Sequence, residues 1–233
     1  MESSESDDLF HFIEWANKNL KVILYIVGAL AGIAAVIAFL NWKKGQNELA
    51  ANDAVFALPA LLVGPGGATA NSKDYLKVAD QHSSTQAGER ALLLGAGLLF
   101  TEGKYPDAQA AFQKFLSEHG DSPFRSEADF GVAAALEAQG KTNEAMARYE
   151  EVGNRYLNEA SGIQSKLNFG RMAENARNYD KALKAYTDVG RNIQSPYAQE
   201  GHERSEQLLS SHPELVKTNA VPAIPSTASA LGK

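Results

Sequence analysis

GKYPDAQAAF (residues 103–112), GKTNEAMARY (140–149) and RNYDKALKAY (177–186) occupy the same place in a frame of 37 residues. The frame recurs without a gap as Gly103–Gln139, Gly140–Ala176 and Arg177–Pro213. Within it Ala108, Ala145 and Ala182 coincide. So do the aromatics Phe112, Tyr149 and Tyr186, and then Phe115, Val152 and Val189. An alanine, an aromatic four residues on and an apolar residue three beyond that share one face of an α-helix. Helical units repeating at this period predict a solenoid, in which each unit buries its apolar face against its neighbours. Solenoids of this kind bind other polypeptides far more often than they carry catalysis.

Outward from these stretches the chain reads as paired helices. Ala87–Glu102 is a helix, and Gly103 stands where a left-handed C-terminal residue is wanted. Pro106 opens the partner helix, where its missing N–H costs nothing. Gly140 repeats the part of Gly103. The third frame has Arg177 at that position, so Asn175 or Asn178 is expected to make the turn. Phe124–Gln139 pairs with Thr142–Leu157, and Ser161–Asn175 with Tyr179–Asn192. Tyr197–Ser210 reads as a polar closing helix. Upstream, Asn47–Val63 (interrupted or ended near Pro59), a break at Gly64–Gly67 and a short helix Ser72–His82 make a degenerate first hairpin. From Lys217 the Ala-, Pro- and Ser-rich tail is expected to be disordered.

Val22–Trp42 is 21 residues without a formal charge. At ~1.5 Å per residue it is roughly 31 Å long as a helix, matching a hydrocarbon core of about 30 Å. Trp15, Tyr25 and Trp42 lie near its ends, flanked by Lys18 and Lys21 on one side and by Lys43 and Lys44 on the other. The run exceeds the ~7–15 residues of a signal-peptide core and no small-x-small site follows it, so an uncleaved anchor in a lipid bilayer is expected. Leu9, Phe12, Ile13, Ala16 and Leu20 recur at helical spacing ahead of it, as in an interfacial helix. Two basic residues on each side leave the orientation undecided by charge.

The net charge is -6, and the chain beyond Gly45 has 18 basic against 23 acidic residues, a balance of -5. No basic stripe interrupts it, which argues against nucleic-acid binding. The absence of cysteine excludes disulfides, thiol catalysis and Cys-based zinc sites. His11, His82, His119, His202 and His212 show no i, i+4 metal spacing; His82 and His119 fall near helix C-termini, where imidazole suits the last carbonyls. No nucleophile–base set, carboxylate pair or phosphate loop stands out, so neither an enzyme nor a cofactor is expected.

The order Gly-Lys-Tyr-x-x-Ala-x-x-x-Phe at 103–112, with its counterparts at 140–149 and 177–186, resembles the tetratricopeptide repeat. The family's usual repeat has 34 residues and an early Trp; here Leu92, Asp129 and Lys166 stand at that offset. The resemblance implies that Ala108, Ala145 and Ala182 allow close helix approach while Phe112, Tyr149 and Tyr186 fill the space between helices. The whole order also resembles the membrane-anchored ancillary subunits of the bacterial Sec translocon: acidic N-terminus, one span, a degenerate hairpin, then repeats. That resemblance implies a periplasmic domain on the inner membrane beside the Sec channel. It also implies a membrane-anchored prolyl-isomerase-type chaperone as partner, and unfolded or extended polypeptides as clients. A second resemblance, to the repeat domain of a cell-division coordinator, implies scaffolding of division or envelope machinery instead.

The expected architecture is therefore all-α: a single N-terminal transmembrane helix followed by a tetratricopeptide-repeat-like solenoid of helical hairpins. An acidic tail and interfacial helix occupy 1–19, the anchor 20–44, the repeat domain 45–216 and the tail 217–233. The family's groove-lining offsets fall on Leu93, Phe130 and Leu167, with Phe100, Glu127, Glu137, Gln164, Arg171 and Glu174 beside them. The three apolar residues either line a groove for a helix or extended segment or pack inside the solenoid. Gly28 and Gly32 form a small-residue pair that either packs against a partner's span or is ordinary membrane-helix composition.

Overall fold

The computed structural model describes His11, residues 13–58 and residues 71–218. Leu9, Phe12, Pro59, Gly64–Gly67 and the tail from Asn219 lie outside the described residues. Residues 13–18 are helical, and after Asn19 a single helix, α1, runs from Leu20 to Phe56. The sequence pattern separates the apolar span from a helix beginning at Asn47; the structure joins them. Nothing between Trp42 and Asn47 breaks a helix: Lys, Gln and Asn continue it, and the lone Gly45 costs only about 1 kcal/mol. Only Ala51 on α1 is fully buried, while its large apolar side chains from Leu20 to Leu49, half-buried Ile23 apart, are turned outward. A helix apolar on all sides and unburied by its own chain matches a bilayer in length and composition.

The solenoid follows. Its helices are α2 (Ser72–Gln81), α3 (Gln86–Thr101), α4 (Tyr105–Glu118), α5 (Arg125–Ala138), α6 (Thr142–Arg155), α7 (Ala160–Asn175), α8 (Tyr179–Gly190), α9 (Ala198–Ser211) and α10 (Glu214–Thr218). Among the described residues no strand occurs. From α2 to α9 each helix packs on the next. Three hairpins share one turn: Gly103, Gly140 and Arg177 have φ of 76°, 74° and 60°. In each, the next residue's N–H reaches back to close the helix, from Lys104 to Leu99 O at 2.9 Å, Lys141 to Leu136 O at 3.0 Å and Asn178 to Ala173 O at 2.8 Å. Arg177 itself, rather than Asn175 or Asn178, therefore makes the third left-handed turn, because the frame fixes the site and its backbone bonds hold it there.

Burial follows the repeat. Ala108, Ala145 and Ala182 are inaccessible, and Phe112, Tyr149 and Tyr186 are buried with Phe115, Val152 and Val189. The aromatics leave no room opposite: a Cβ at Gly131 would sit 2.5 Å from the Phe112 ring, and one at Gly170 2.5 Å from Tyr186. One core runs from Tyr75 to Ala185, and a second, from Ile163 to Leu215, closes the C-terminal end. Thus α9 is not the last element. Leu215 of α10 is buried against it, and Tyr179 stacks on His212 with ring centroids 3.7 Å apart. The first two residues assigned to a disordered tail, Lys217 and Thr218, are in fact the end of α10, since Leu215 ties that turn to the core.

Candidate interaction surface

The first helices of successive hairpins touch one another, α3 with α5 and α5 with α7, so they form one wall of the solenoid. Leu93 on α3 and Phe130 on α5 are half-buried, each resting against the core with part of its surface open. Phe130 lies tilted against Tyr149 at 5.8 Å, and Phe100 against Tyr105 at 5.3 Å. Leu167, the third member of the stripe, is buried in the C-terminal core and presents no side chain to a ligand. The apolar run thus stops after two hairpins. The family offsets pass over Leu94, 41% exposed next to Leu93. Its signal is the unbroken Leu92–Leu94 run: three consecutive residues sweep around more of a helix than one buried face covers, so one of them is left open.

Beyond Phe130 the wall turns polar. Arg171 on α7 reaches Glu137 on α5 at 2.6 Å, and the Tyr149 hydroxyl donates to the other Glu137 oxygen at 3.1 Å. One frame later the Tyr186 hydroxyl donates to Glu174 at 2.9 Å. Burial first, then the adjacent carboxylates, push both phenols up, that of Tyr186 to about 12. Both are un-ionised donors that hold Glu137 and Glu174 at the hairpin mouths. In the first hairpin Phe100 and Phe112 occupy the matching places, so the polar pair is absent there. Gln164 is committed to Tyr197, its amide donating to the Tyr197 hydroxyl at 2.6 Å, while Glu127 is exposed. The surface has therefore an apolar half (Leu93, Leu94, Phe100, Phe130) and a charged half (Glu137, Arg171, Glu174).

Two features have no counterpart in the sequence reading. Asp129, at the family's Trp offset, is fully buried and accepts hydrogen bonds from Arg148 and from the Tyr156 hydroxyl, the latter at 2.6 Å. A lone Asp between Ala128 and Phe130 gives no hint of partners 19 and 27 residues away. The other is the joint between α1 and the solenoid. Glu48 on α1 accepts the N–H groups of Gln86 at 2.8 Å and Ala87 at 2.9 Å, capping α3 from another helix. Glu102 does the same for α2, accepting from Ser72 N at 2.9 Å and Ser72 Oγ at 2.8 Å. Asn71 and Asp74 complete a capping box at that helix start. Carboxylates thus stitch α1 and the first hairpin together.

Gly28 and Gly32 lie on the outward-turned part of α1, and a Cβ at either would meet nothing within 4 Å. His82, His119 and His212 sit at the C-caps of α2, α4 and α9. Among the described residues no group of three His, Asp or Glu side chains is placed to hold a metal.

The TPR-like repeats of a putative kinesin light chain from Podosopora anserina, in a single-residue variant form, superpose with a TM-score of 0.50 at 12% identity, over 63% of this chain and 79% of that one. A second structure of those repeats gives 0.49 at 12% identity over the same shares. At that identity the likeness concerns the fold alone. No curated protein sequence matches the chain. The model of the tetratricopeptide repeat-like domain family matches residues 14–195, taking in the apolar helix with the hairpins, and the chain belongs to that family.

Proposed function

We propose that this chain is a membrane-anchored, non-enzymatic scaffold that holds a polypeptide-binding wall at a fixed distance from the bilayer. The observation that carries the reading is the unbroken helix Leu20–Phe56, whose outer part is apolar enough to cross a membrane and whose inner part caps α3 through Glu48. The repeat fold itself is that of a protein-interaction scaffold. The apolar half of the wall suits an amphipathic helix or extended segment, and the Glu137–Arg171–Glu174 half adds polar selectivity. The proposed setting is the inner membrane of a bacterium with the repeats in the periplasm, as an ancillary subunit of the Sec translocon. There it would dock an anchored prolyl-isomerase-type chaperone beside emerging chains; this setting rests on the resemblance of the whole layout.

The test is photo-crosslinking from Leu94 and Phe130 in intact membranes, followed by identification of the adducts. Sec channel subunits, a membrane-anchored foldase or nascent translocated chains are the expected adducts. Adducts confined to division or cell-wall proteins would move the scaffold to envelope assembly and overturn the translocon assignment.

A further inference from the structure

The turns that join one hairpin to the next lie together at one end of the solenoid, because successive packed helices alternate in direction. The turns within hairpins, at Gly103, Gly140 and Arg177, lie at the other end. The inter-hairpin end is the one nearest the apolar run. Asn41 and Lys44 of α1 share a cleft with Ser83 and Ser84 of the first such turn and with Glu118 and His119 at the second. Past that level α1 packs on the core through Ala54, Val55 and Leu58, whereas before it the side chains face outward. With Val22–Trp42 in a bilayer, the row of inter-hairpin turns therefore faces the headgroups. The inference rests on that reading of α1.

The row changes character along its length. His82, His119, Tyr156 and Ile193 hold one place in the repeat frame, and Ser83, Gly120, Leu157 and Gln194 hold the next. At the two turns beside α1 both places are polar or small. Farther out, the Tyr156 hydroxyl is tied to Asp129 at 2.6 Å, but Leu157 next to it is 54% exposed. Ile193, at 85%, is the most exposed large apolar side chain among the described residues. Its turn is bonded: Ile193 N donates to Arg191 O at 3.0 Å and Ser195 N to Asn192 O at 2.8 Å. Aliphatic tips held out in water are unfavourable until something covers them. Arg191 is exposed and reaches Asp188 only at 3.9 Å, and residues 191–199 include no carboxylate, so a phosphate layer is not repelled there. We propose that Leu157 and Ile193 are membrane feet, which enter the interfacial layer of the bilayer that α1 spans. The solenoid then rests on the membrane at its far hairpins as well as at α1, and this second contact stops it from tilting.

The test uses the full chain, one copy per nanodisc, with an environment-sensitive dye on a single introduced cysteine. Asn158→Cys and Gln194→Cys report beside the feet and leave Leu157 and Ile193 in place. Ser210→Cys reports from the opposite end of the solenoid, and Ala35→Cys from the span. Phospholipids spin-labelled high on the tail are the quenchers. Quenching with a blue shift is expected at 158 and 194 and not at 210. Leu157→Asp is expected to abolish it at 158 and Ile193→Asp at 194, with circular dichroism unchanged because both side chains are exposed. Quenching at 35 with none at 158 and 194 would overturn the feet and leave the span standing. Quenching at 210 as strong as at 194 would reduce the effect to unspecific adsorption and also overturn them. A blue shift at 194 without lipid quenching would assign the tip to a protein contact and overturn the bilayer as its cover. No quenching at 35 would instead refute the membrane reading of α1, and the feet with it.

Discussion

Replacing Asp129 by Ala removes a fully buried carboxylate that ties α5 to α6. Taking one partner from a buried ion pair costs about 3–5 kcal/mol when the other is left stranded. Here the guanidiniums are not stranded. The Arg148 and Arg155 side chains are 25% and 45% exposed, and each keeps Glu151, at 2.8 Å and 2.6 Å. What is lost outright is the Tyr156 hydroxyl's bond to a charged acceptor, about 1.5–3 kcal/mol, and part of the Arg148 contact. The expected destabilisation is therefore about 2–3 kcal/mol, a fall in Tm of roughly 5–10 °C for a domain of this size. Tyr156→Phe is expected to cost somewhat less, and the double variant little more than Asp129→Ala alone, because the two changes delete the same bond. Thermal and urea unfolding of the full chain in detergent measure the cost, and hydrogen exchange across α5 and α6 localises it, since repeats loosen semi-independently. A loss below about 1 kcal/mol, or strict additivity of the two changes, would refute the argument that this carboxylate is desolvated and shared.

Ala145→Leu is expected to overpack the second hairpin by about 1–3 kcal/mol, read as a lowered urea midpoint, because Ala145 has no accessible surface. Arg177→Gly is expected to stabilise the chain slightly and Gly140→Ala to destabilise it by about 1–2 kcal/mol, since both positions hold positive φ. The Glu102 carboxyl is lowered from 4.5 to about 2, first by Lys104 and then by Ser72. Its contribution is thus complete above the ordinary value and is lost as pH falls towards 2. Melting temperatures measured over that acid window are expected to fall more steeply in the parent than in Glu102→Gln. Leu93→Asp with Phe130→Asp is expected to spare circular dichroism and weaken crosslinking to partners, whereas Leu167→Asp is expected to unfold the C-terminal hairpins, Leu167 being buried in the core.

The hairpins are legible in the sequence because each rule that sets them is local. An alanine and an aromatic four apart mark the buried face, and Gly103 and Gly140 mark the turns. The third turn is not, because sequence ranks Asn above Arg for a left-handed site, while the hydrogen bonds of the frame impose the conformation on Arg177 regardless. The apolar stripe is only half legible. Leu93 and Phe130 lie where the frame puts them, but Leu167 is drawn into the core by the C-terminal helices α8 to α10, an effect of neighbours distant in sequence. The caps from Glu48 and Glu102, and the Asp129 node, are invisible for the same reason: each links helices through residues 19 to 39 apart, and charged residues on a helix read simply as a solvated face. The continuity of α1 matters most, since it joins the apolar helix directly to the solenoid instead of leaving the two on a tether.

The chain contains no cysteine, so a single introduced one reports its own surroundings. The most direct measurement is labelling of Ala35→Cys on α1 and Ser210→Cys on α9 by a membrane-impermeant maleimide in intact spheroplasts. The account predicts prompt labelling of Ser210→Cys before lysis and none of Ala35→Cys until the bilayer is dissolved. Labelling of Ala35→Cys as fast as Ser210→Cys would show that the apolar helix is not in the membrane, and labelling of Ser210→Cys only after lysis would place the scaffold on the opposite side.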